Sequence, residues 1–226
     1  MIIEHLKKVD STQEYIKKYV KKRKDAIVYA DVQTRGAGTK GRSFISEKGG
    51  LYISKLTFHN NLKCVDAWSV MVDNAMAVVK TLMAFGANPQ IKWPNDIWVN
   101  GKKICGILTQ NAFCGDNVDY SIVGIGINLN NQISEEIKDI AISLKEVTGK
   151  EINIESFLFS LTLNLSSSCS LEEYKKYSVV LGKNITVSRG GEVFEAVAVD
   201  ICKDGSLKLS NGESLYAGEI NLKITV

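Results

Sequence analysis

The chain has 226 residues, of which 45% are hydrophobic and 23% charged, with a net charge of +3. That length supplies one sizeable core, or one core and a small satellite, and so mild a charge points neither to nucleic acid nor to a membrane surface. No apolar run is long enough to span a bilayer, and the stretch from Met1 to His5 lacks the apolar centre of a secretory signal, so the expected compartment is the cytoplasm.

Asp10-Ser11-Thr12 followed by Gln13-Glu14-Tyr15 reads as a helix start, because a short polar side chain there accepts orphan backbone N–H groups. That helix is expected to run to about Lys24. Its basic residues, Lys17-Lys18 and Lys21 to Lys24, read as a solvated face with cations near the negative helix end. Ala26 to Val32 and Gly50 to Phe58 read as strands, with a glycine-rich loop between them. Asp66 to Phe85 carries apolar residues at helical spacing and stops at Gly86, with Met71, Met76 and Met83 as core filler. Ile91 to Trp93, Ile97 to Val99, Lys103 to Gln110 and Tyr120 to Asn128 read as strands. Asn100-Gly101 and Gly115-Asp116-Asn117 are the hairpin signals between them. Ser134 to Thr148 and Ile154 to about Tyr177 read as two helices. After about Val180 come short β-type runs, Ile185 to Val187, Val193 to Val199, Leu207 to Leu209 and Ile220 to Ile224, separated by glycine turns. The expected fold is α+β. Residues 1–180 would form a mixed, largely antiparallel sheet with packed helices, and residues 181–226 a small β-barrel.

Five cysteines without a C-x-x-C pair fit a reducing compartment, and the two histidines, His5 and His59, stand too far apart to suggest a zinc site. Three segments carry chemistry. Gln33 to Phe44 contains Gly36, Gly38 and Gly41, which let backbone N–H groups approach an anion, with Lys40 and Arg42 as cations and Phe44 as an aromatic face. The glycines match the letters of a dinucleotide fingerprint, but a strand pattern follows them where that fingerprint needs a helix. Lys92-Trp93-Pro94-Asn95-Asp96 reads as a rigid turn beside an indole. Lys103 on the next strand is within reach of it, and Gly106 marks a close approach. Core packing for Trp93 and Trp98, and turn chemistry for Asn95-Asp96, are the plainer readings of the same residues. Val123 to Asn130 has two glycines in an apolar strand running into Asn128, a buried amide that needs a partner.

Together these segments resemble the biotin–protein ligases. Ser11-Thr12-Gln13 is similar to that family's Ser-Thr-Asn, and Gln33 to Phe44 to its glycine- and arginine-rich loop. Lys92 to Leu108 is similar to its Lys-Trp-Pro-Asn-Asp…Lys-x-x-Gly-Ile-Leu signature, and Gly124 to Asn130 to its Gly-x-Gly-Ile-Asn strand. The tail, with Gly205-Ser206-Leu207 and Ala217-Gly218-Glu219-Ile220, resembles its SH3-like C-terminal domain. The chain departs from the family in the loop. Ala37 and Thr39 stand at arginine positions and Phe44 at a tryptophan, while Arg42 is kept. Threonine cannot grip phosphate as arginine does, so a weaker hold on a phosphorylated intermediate is expected.

The resemblance implies a class II synthetase-like catalytic domain that activates biotin with ATP to biotinyl-AMP. It then implies transfer of biotin to a lysine of a biotin carboxyl carrier domain of a carboxylase. Lys103 and Arg42 are implied as catalytic. Ser11, Thr12, Gln13, Gln33, Gly36, Ala37, Gly38, Thr39, Lys103 and Gly106 are implied to face biotin, and Thr39, Lys40, Arg42, Phe44, Asn95 and Asn128 the adenylate. Mg2+ would ride on ATP without assigned protein ligands. A homodimer is among the implied partners, while nucleic acid and membrane are not, since the helix at Asp10 leaves no room for a DNA-binding domain before it. The alternatives are a lipoate- or octanoate-type ligase and a degenerate biotin-binding protein.

Overall fold

The computed structural model describes residues 1–217 and 221–224, with Lys40 and the last four described by backbone alone. The strands are β1 (Ile2–Leu6), β2 (Ala26–Ala30), β3 (Leu51–Phe58), β4 (Gln90–Lys92), β5 (Asp96–Val99), β6 (Lys102–Cys114), β7 (Asn117–Ile127), β8 (Asn184–Arg189), β9 (Glu192–Ile201), β10 (Leu207–Leu209), β11 (Ser214–Leu215) and β12 (Asn221–Ile224). The helices are α1 (Thr12–Tyr15), α2 (Ser69–Ala84), α3 (Leu144–Thr148), α4 (Ile154–Asn164) and α5 (Leu171–Lys176). None of the described helices is long and apolar enough to cross a membrane.

The fold is α+β. Seven strands form one sheet in the order β1-β2-β3-β7-β6-β5-β4, antiparallel except for the parallel pair β1 and β2. Two long ladders hold its centre: β3 against β7 from Leu51↔Ile127 to Phe58↔Tyr120, and β6 against β7 from Cys105↔Ile127 to Cys114↔Asn117. Asn100 and Gly101 both take positive φ, the conformation that matches strand twist in a two-residue hairpin. One face of the sheet, with Ile53, Ile107 and Ile125, joins the core that also buries Val72, Ala75, Met76 and Val79 of α2. The other face carries the site.

Several elements differ from the sequence expectation. The sequence pattern does not predict β1, because five residues at a chain end carry little pattern. The first helix is four α-helical residues continued as a 3₁₀ helix over Ile16–Lys22, and it ends at Arg23 in a left-handed conformation. The expected helix over 134–148 is helical only at α3. Upstream, the backbone of 140–142 pairs with Lys103, whose N–H donates to the Ile140 carbonyl at 2.8 Å and whose carbonyl accepts from the Ile142 N–H at 3.0 Å. Ser143 and Glu146 then start α3 with a reciprocal capping box. The expected helix over 154–177 is broken into α4 and α5, since the serine-rich link holds Ser170, which caps α5 through its side chain. Met71 and Met76 are core residues as expected, but Met83 is 46% exposed.

The second sheet has five strands in the order β11-β10-β9-β8-β12, and its buried residues, among them Ile185, Val187, Ala198 and Leu207, continue the main core. The segment Gly218 to Ile220 of the sequence resemblance lies outside the described residues. Contacts among the described residues tie the main sheet to the C-terminal region. Ile91 of β4 accepts from the Val179 N–H at 2.9 Å and donates to the Tyr177 carbonyl at 2.7 Å, which covers the main sheet's edge just before the small sheet begins. The buried Trp93 indole donates to the Gly205 carbonyl at 3.0 Å. Gly205 has φ +85°, and a Cβ there would meet the Trp68 ring at 2.3 Å, so only glycine turns the chain at this junction.

Trp93→Phe keeps an aromatic ring in the core but leaves the Gly205 carbonyl without its buried donor. Urea unfolding should show a loss of about 1–3 kcal/mol with an unchanged far-ultraviolet spectrum. An unaltered midpoint would remove this bond from the account.

Candidate active site

The site lies on the sheet face away from α2, and its floor is glycine. Gly124 and Gly126 alternate on β7, and Gly106 on β6 pairs with Gly126 in register. Alternation turns the intervening Ile125 into the core, so one strand serves both faces. Each glycine gives its space to a larger side chain. A Cβ at Gly126 would lie 2.7 Å from the Phe44 ring, one at Gly106 2.9 Å from Lys103 Nζ, and one at Gly124 2.3 Å from Gln13 Oε1. Real Cβ atoms do not approach so closely, so Phe44, Lys103 and Gln13 lie flat on the floor because it lacks side chains. Buried Tyr52 meets Phe44 edge to face, with ring centroids 6.3 Å apart, and its hydroxyl donates to the Glu47 carbonyl at 2.6 Å. Burial pushes the Tyr52 phenol well above its usual range, so it stays neutral as a prop for the ring.

Lys103 Nζ lies 2.7 Å from Asp96 Oδ1 and 5.7 Å from the Phe44 ring centroid. Asp96 sits opposite Gly106 on β5, so the ladder itself aims the carboxylate at the ammonium. Both side chains are partly exposed, so the pair contributes more to orientation than to stability. Asn95 turns inward from the same segment. Its amide nitrogen donates to the Ile107 carbonyl at 2.7 Å, and its own carbonyl accepts from the Ile107 N–H at 3.0 Å.

The polar end forms one directed chain of hydrogen bonds. The Thr12 backbone N–H can only donate, and it donates to Gln33 Oε1 at 2.8 Å, which sets the amide orientation. The Thr12 hydroxyl donates to the same oxygen at 3.0 Å and so accepts from the Ser54 hydroxyl at 2.8 Å. Gln33 Nε2 donates to Ser46 Oγ at 3.0 Å, and Ser46 donates to the Phe44 carbonyl at 2.9 Å. Ser11 caps the first helix and reaches the same cavity. Gln13 donates to the Leu108 carbonyl at 3.3 Å.

Of the residues expected from the sequence, Ser11, Thr12, Gln13, Gln33, Ala37, Gly38, Thr39, Phe44, Asn95, Lys103 and Gly106 line this one cavity. Gly36 does not line it. Gly36 is buried behind the wall, where its carbonyl accepts from the Phe44 N–H at 2.8 Å. Arg42 lines a second cavity with Thr39, Trp68, Pro94, Asn95 and Asp204, and its guanidinium folds back on Thr39. Asn128 is buried at the end of β7, away from both cavities, where its Oδ1 accepts from Asn131. The side chain of Lys40 lies outside the described residues. Sequence reasoning gave no role to Ser46, Ser54, Tyr52 or Asp96. Asp96 was within reach, since it stands beside Asn95 in the motif, whereas Ser46 and Ser54 carry no local signal and matter only once β3 is paired.

Residues 6–128 match the model of the biotin/lipoate A/B protein ligase family. The bifunctional ligase/repressor BirA of Bacillus subtilis is 31% identical over 218 residues, covering 87% of this chain and 66% of its own length. The chain therefore spans just under two thirds of that curated relative. Two solved structures from Aquifex aeolicus cover 99% or more of this chain and 99% of their own. A biotin protein ligase in complex with biotin and ATP is 28% identical with a TM-score of 0.74. An arginine-to-glycine point mutant of the ligase in complex with biotin is 29% identical with a TM-score of 0.78. The chain belongs to the biotin/lipoate A/B protein ligase family.

Proposed function

We propose that this protein is a biotin–protein ligase. The observation that carries the reading is one cavity lined both by the Lys103 ammonium, laid across Gly106 beside Phe44 and Asn95, and by the Thr12–Gln33 hydrogen-bond chain. A ligand with a polar head, an apolar stem and a terminal carboxylate fits that set of groups. The ureido ring of biotin supplies N–H and carbonyl groups for the polar end, which a dithiolane ring does not, so the polar end favours biotin over lipoate. The Aquifex aeolicus ligase solved with biotin and ATP supports that pair of substrates, and the point mutant solved with biotin supports biotin.

In the first half-reaction a biotin carboxylate oxygen attacks the α-phosphorus of ATP, the bond to the bridging oxygen breaks, and pyrophosphate leaves. Lys103 holds the carboxylate and faces the charge that develops on the α-phosphate, with Asp96 fixing its direction. Phe44 offers a ring to the adenylate, and Asn95 borders both cavities. Arg42 would swing from Thr39 to phosphate oxygens. In the second half-reaction a carrier lysine attacks the anhydride carbonyl, AMP leaves, and an amide forms. Mg2+ enters with ATP as part of the substrate, and no step is assigned to it.

The acceptor would be a biotin carboxyl carrier domain. The exposed β1 edge suits strand addition, by that domain or by a second copy. We also read residues 1–180 as a class II synthetase-like catalytic unit and 181–226 as an SH3-like barrel.

Incubating the protein with ATP, biotin and a biotin carboxyl carrier domain should add one biotin to the carrier by mass spectrometry. An unmodified carrier counts against the reading. Lys103→Ala should stay folded yet lose biotin-dependent pyrophosphate release by about a hundredfold or more; normal release would sink the role of Lys103. Thr39→Arg restores a bidentate donor at the cavity wall and should slow dissociation of biotinyl-AMP by about tenfold. An unchanged dissociation rate would count against Thr39 as the weak point of the loop.

A further inference from the structure

On the opposite face of the sheet, α2 clamps the link between α4 and α5 with groups that the ligase reading leaves unused. Asp73 Oδ1 accepts from the Cys169 N–H at 2.8 Å. Two helical turns further along the same face, Lys80 Nζ lies 3.1 Å from Cys169 Sγ and 3.1 Å from Glu173 Oε1. Lys55 reaches the base of the link and donates to the Leu165 carbonyl at 2.6 Å. Cys169 therefore has a fixed backbone, a nitrogen partner in direct contact, and partial exposure that admits a small oxidant. Among the described residues, none of the other four cysteines has a lysine nitrogen in hydrogen-bond contact with its sulfur.

We propose that Cys169 and Lys80 are a modification site, at which peroxide joins them through a single oxygen as a covalent S–O–N bridge. The electron balance takes two peroxide molecules. The first oxidises the Cys169 thiol to a sulfenic acid, forming S–O as the peroxide O–O bond breaks and water leaves. The second oxidises the Lys80 amine to a hydroxylamine and releases a second water. The hydroxylamine oxygen then attacks the sulfenyl sulfur, the S–OH bond breaks, and a third water leaves. Sulfur and nitrogen each give up two electrons. The geometry favours this order. Contact with the Cys169 sulfur, ahead of Glu173, holds the Lys80 proton, so oxidising that sulfur weakens the larger of the two contacts that keep the amine protonated. The short Nζ–Sγ distance leaves room for one oxygen with little side-chain movement. The bridge would tie α2 to the link that leads into α5, whose Tyr174 hydroxyl donates to the Pro94 carbonyl at 3.1 Å, next to Asn95. The proposal does not rest on the ligase reading.

The test is peptide mapping of the full chain after treatment with hydrogen peroxide. The expected product is a cross-linked pair of peptides holding Lys80 and Cys169, about 14 Da heavier than their sum (one oxygen gained, two hydrogens lost). Trypsin should no longer cut after Lys80, and dithiothreitol should restore both peptides. In Lys80→Arg the cross-link should vanish, with Cys169 carried to the sulfinic acid instead. Free, normally cleaved Lys80 in the oxidised wild-type chain, whether Cys169 is then reduced or oxidised to an acid, overturns the proposal.

Discussion

The absence of side chains at Gly106, Gly124 and Gly126 is the constraint on which the site depends. The three positions form a patch on one face of the two central strands, and Phe44, Lys103 and Gln13 each occupy the volume a Cβ would take. Glycine in a strand interior weakens it by roughly 0.5–1 kcal/mol per residue. The sheet tolerates three because β7 is paired along its length on both sides and because Ile125 and Ile127 fill the core behind. A strand with one apolar face and one bare face is thus a platform: rigid in backbone, yet open enough for a charged, an aromatic and an amide side chain to lie down on it.

The surroundings keep those three side chains in place. Ser46 and Gln33 tie the backbone at Phe44 to the first helix, and Tyr52 supports the ring from the side. Asp96 opposes Gly106 across the β5–β6 ladder and so meets Lys103 without any loop in between. The turn carrying Asn95 is held where Trp93 bonds Gly205 in the turn between β9 and β10 and Tyr174 bonds Pro94. The C-terminal region is therefore part of the site's foundation, although among its described residues only Asp204 and Ala217 border either of these two cavities.

Much of this is legible in the sequence alone. The alternation in β3, β6 and β7, the helical spacing in α2 and the Asn100-Gly101 turn are local patterns, and local physics decided them. Lys92 to Leu108 brought Lys103, Asn95 and Gly106 together as the motif suggested. What failed depended on distant partners. The segment before α3 has helical spacing but pairs with Lys103, and the serines before α5 end one helix and cap the next. Asn128 needed a buried partner, as its type implied, and found Asn131 away from both cavities. Arg42, which the proposed reaction brings to phosphate oxygens, rests on Thr39, a contact within its own loop that residue type alone does not reveal.

The glycine floor is tested most directly by Gly126→Ala, read as biotin-dependent exchange of pyrophosphate into ATP. Alanine is easily housed in a strand, but its Cβ would sit 2.7 Å from the Phe44 ring and lift it from the floor. The account predicts a folded protein with a normal unfolding midpoint and exchange reduced by about a hundredfold. Exchange at the wild-type rate would contradict the claim that the bare strand face is what assembles the site.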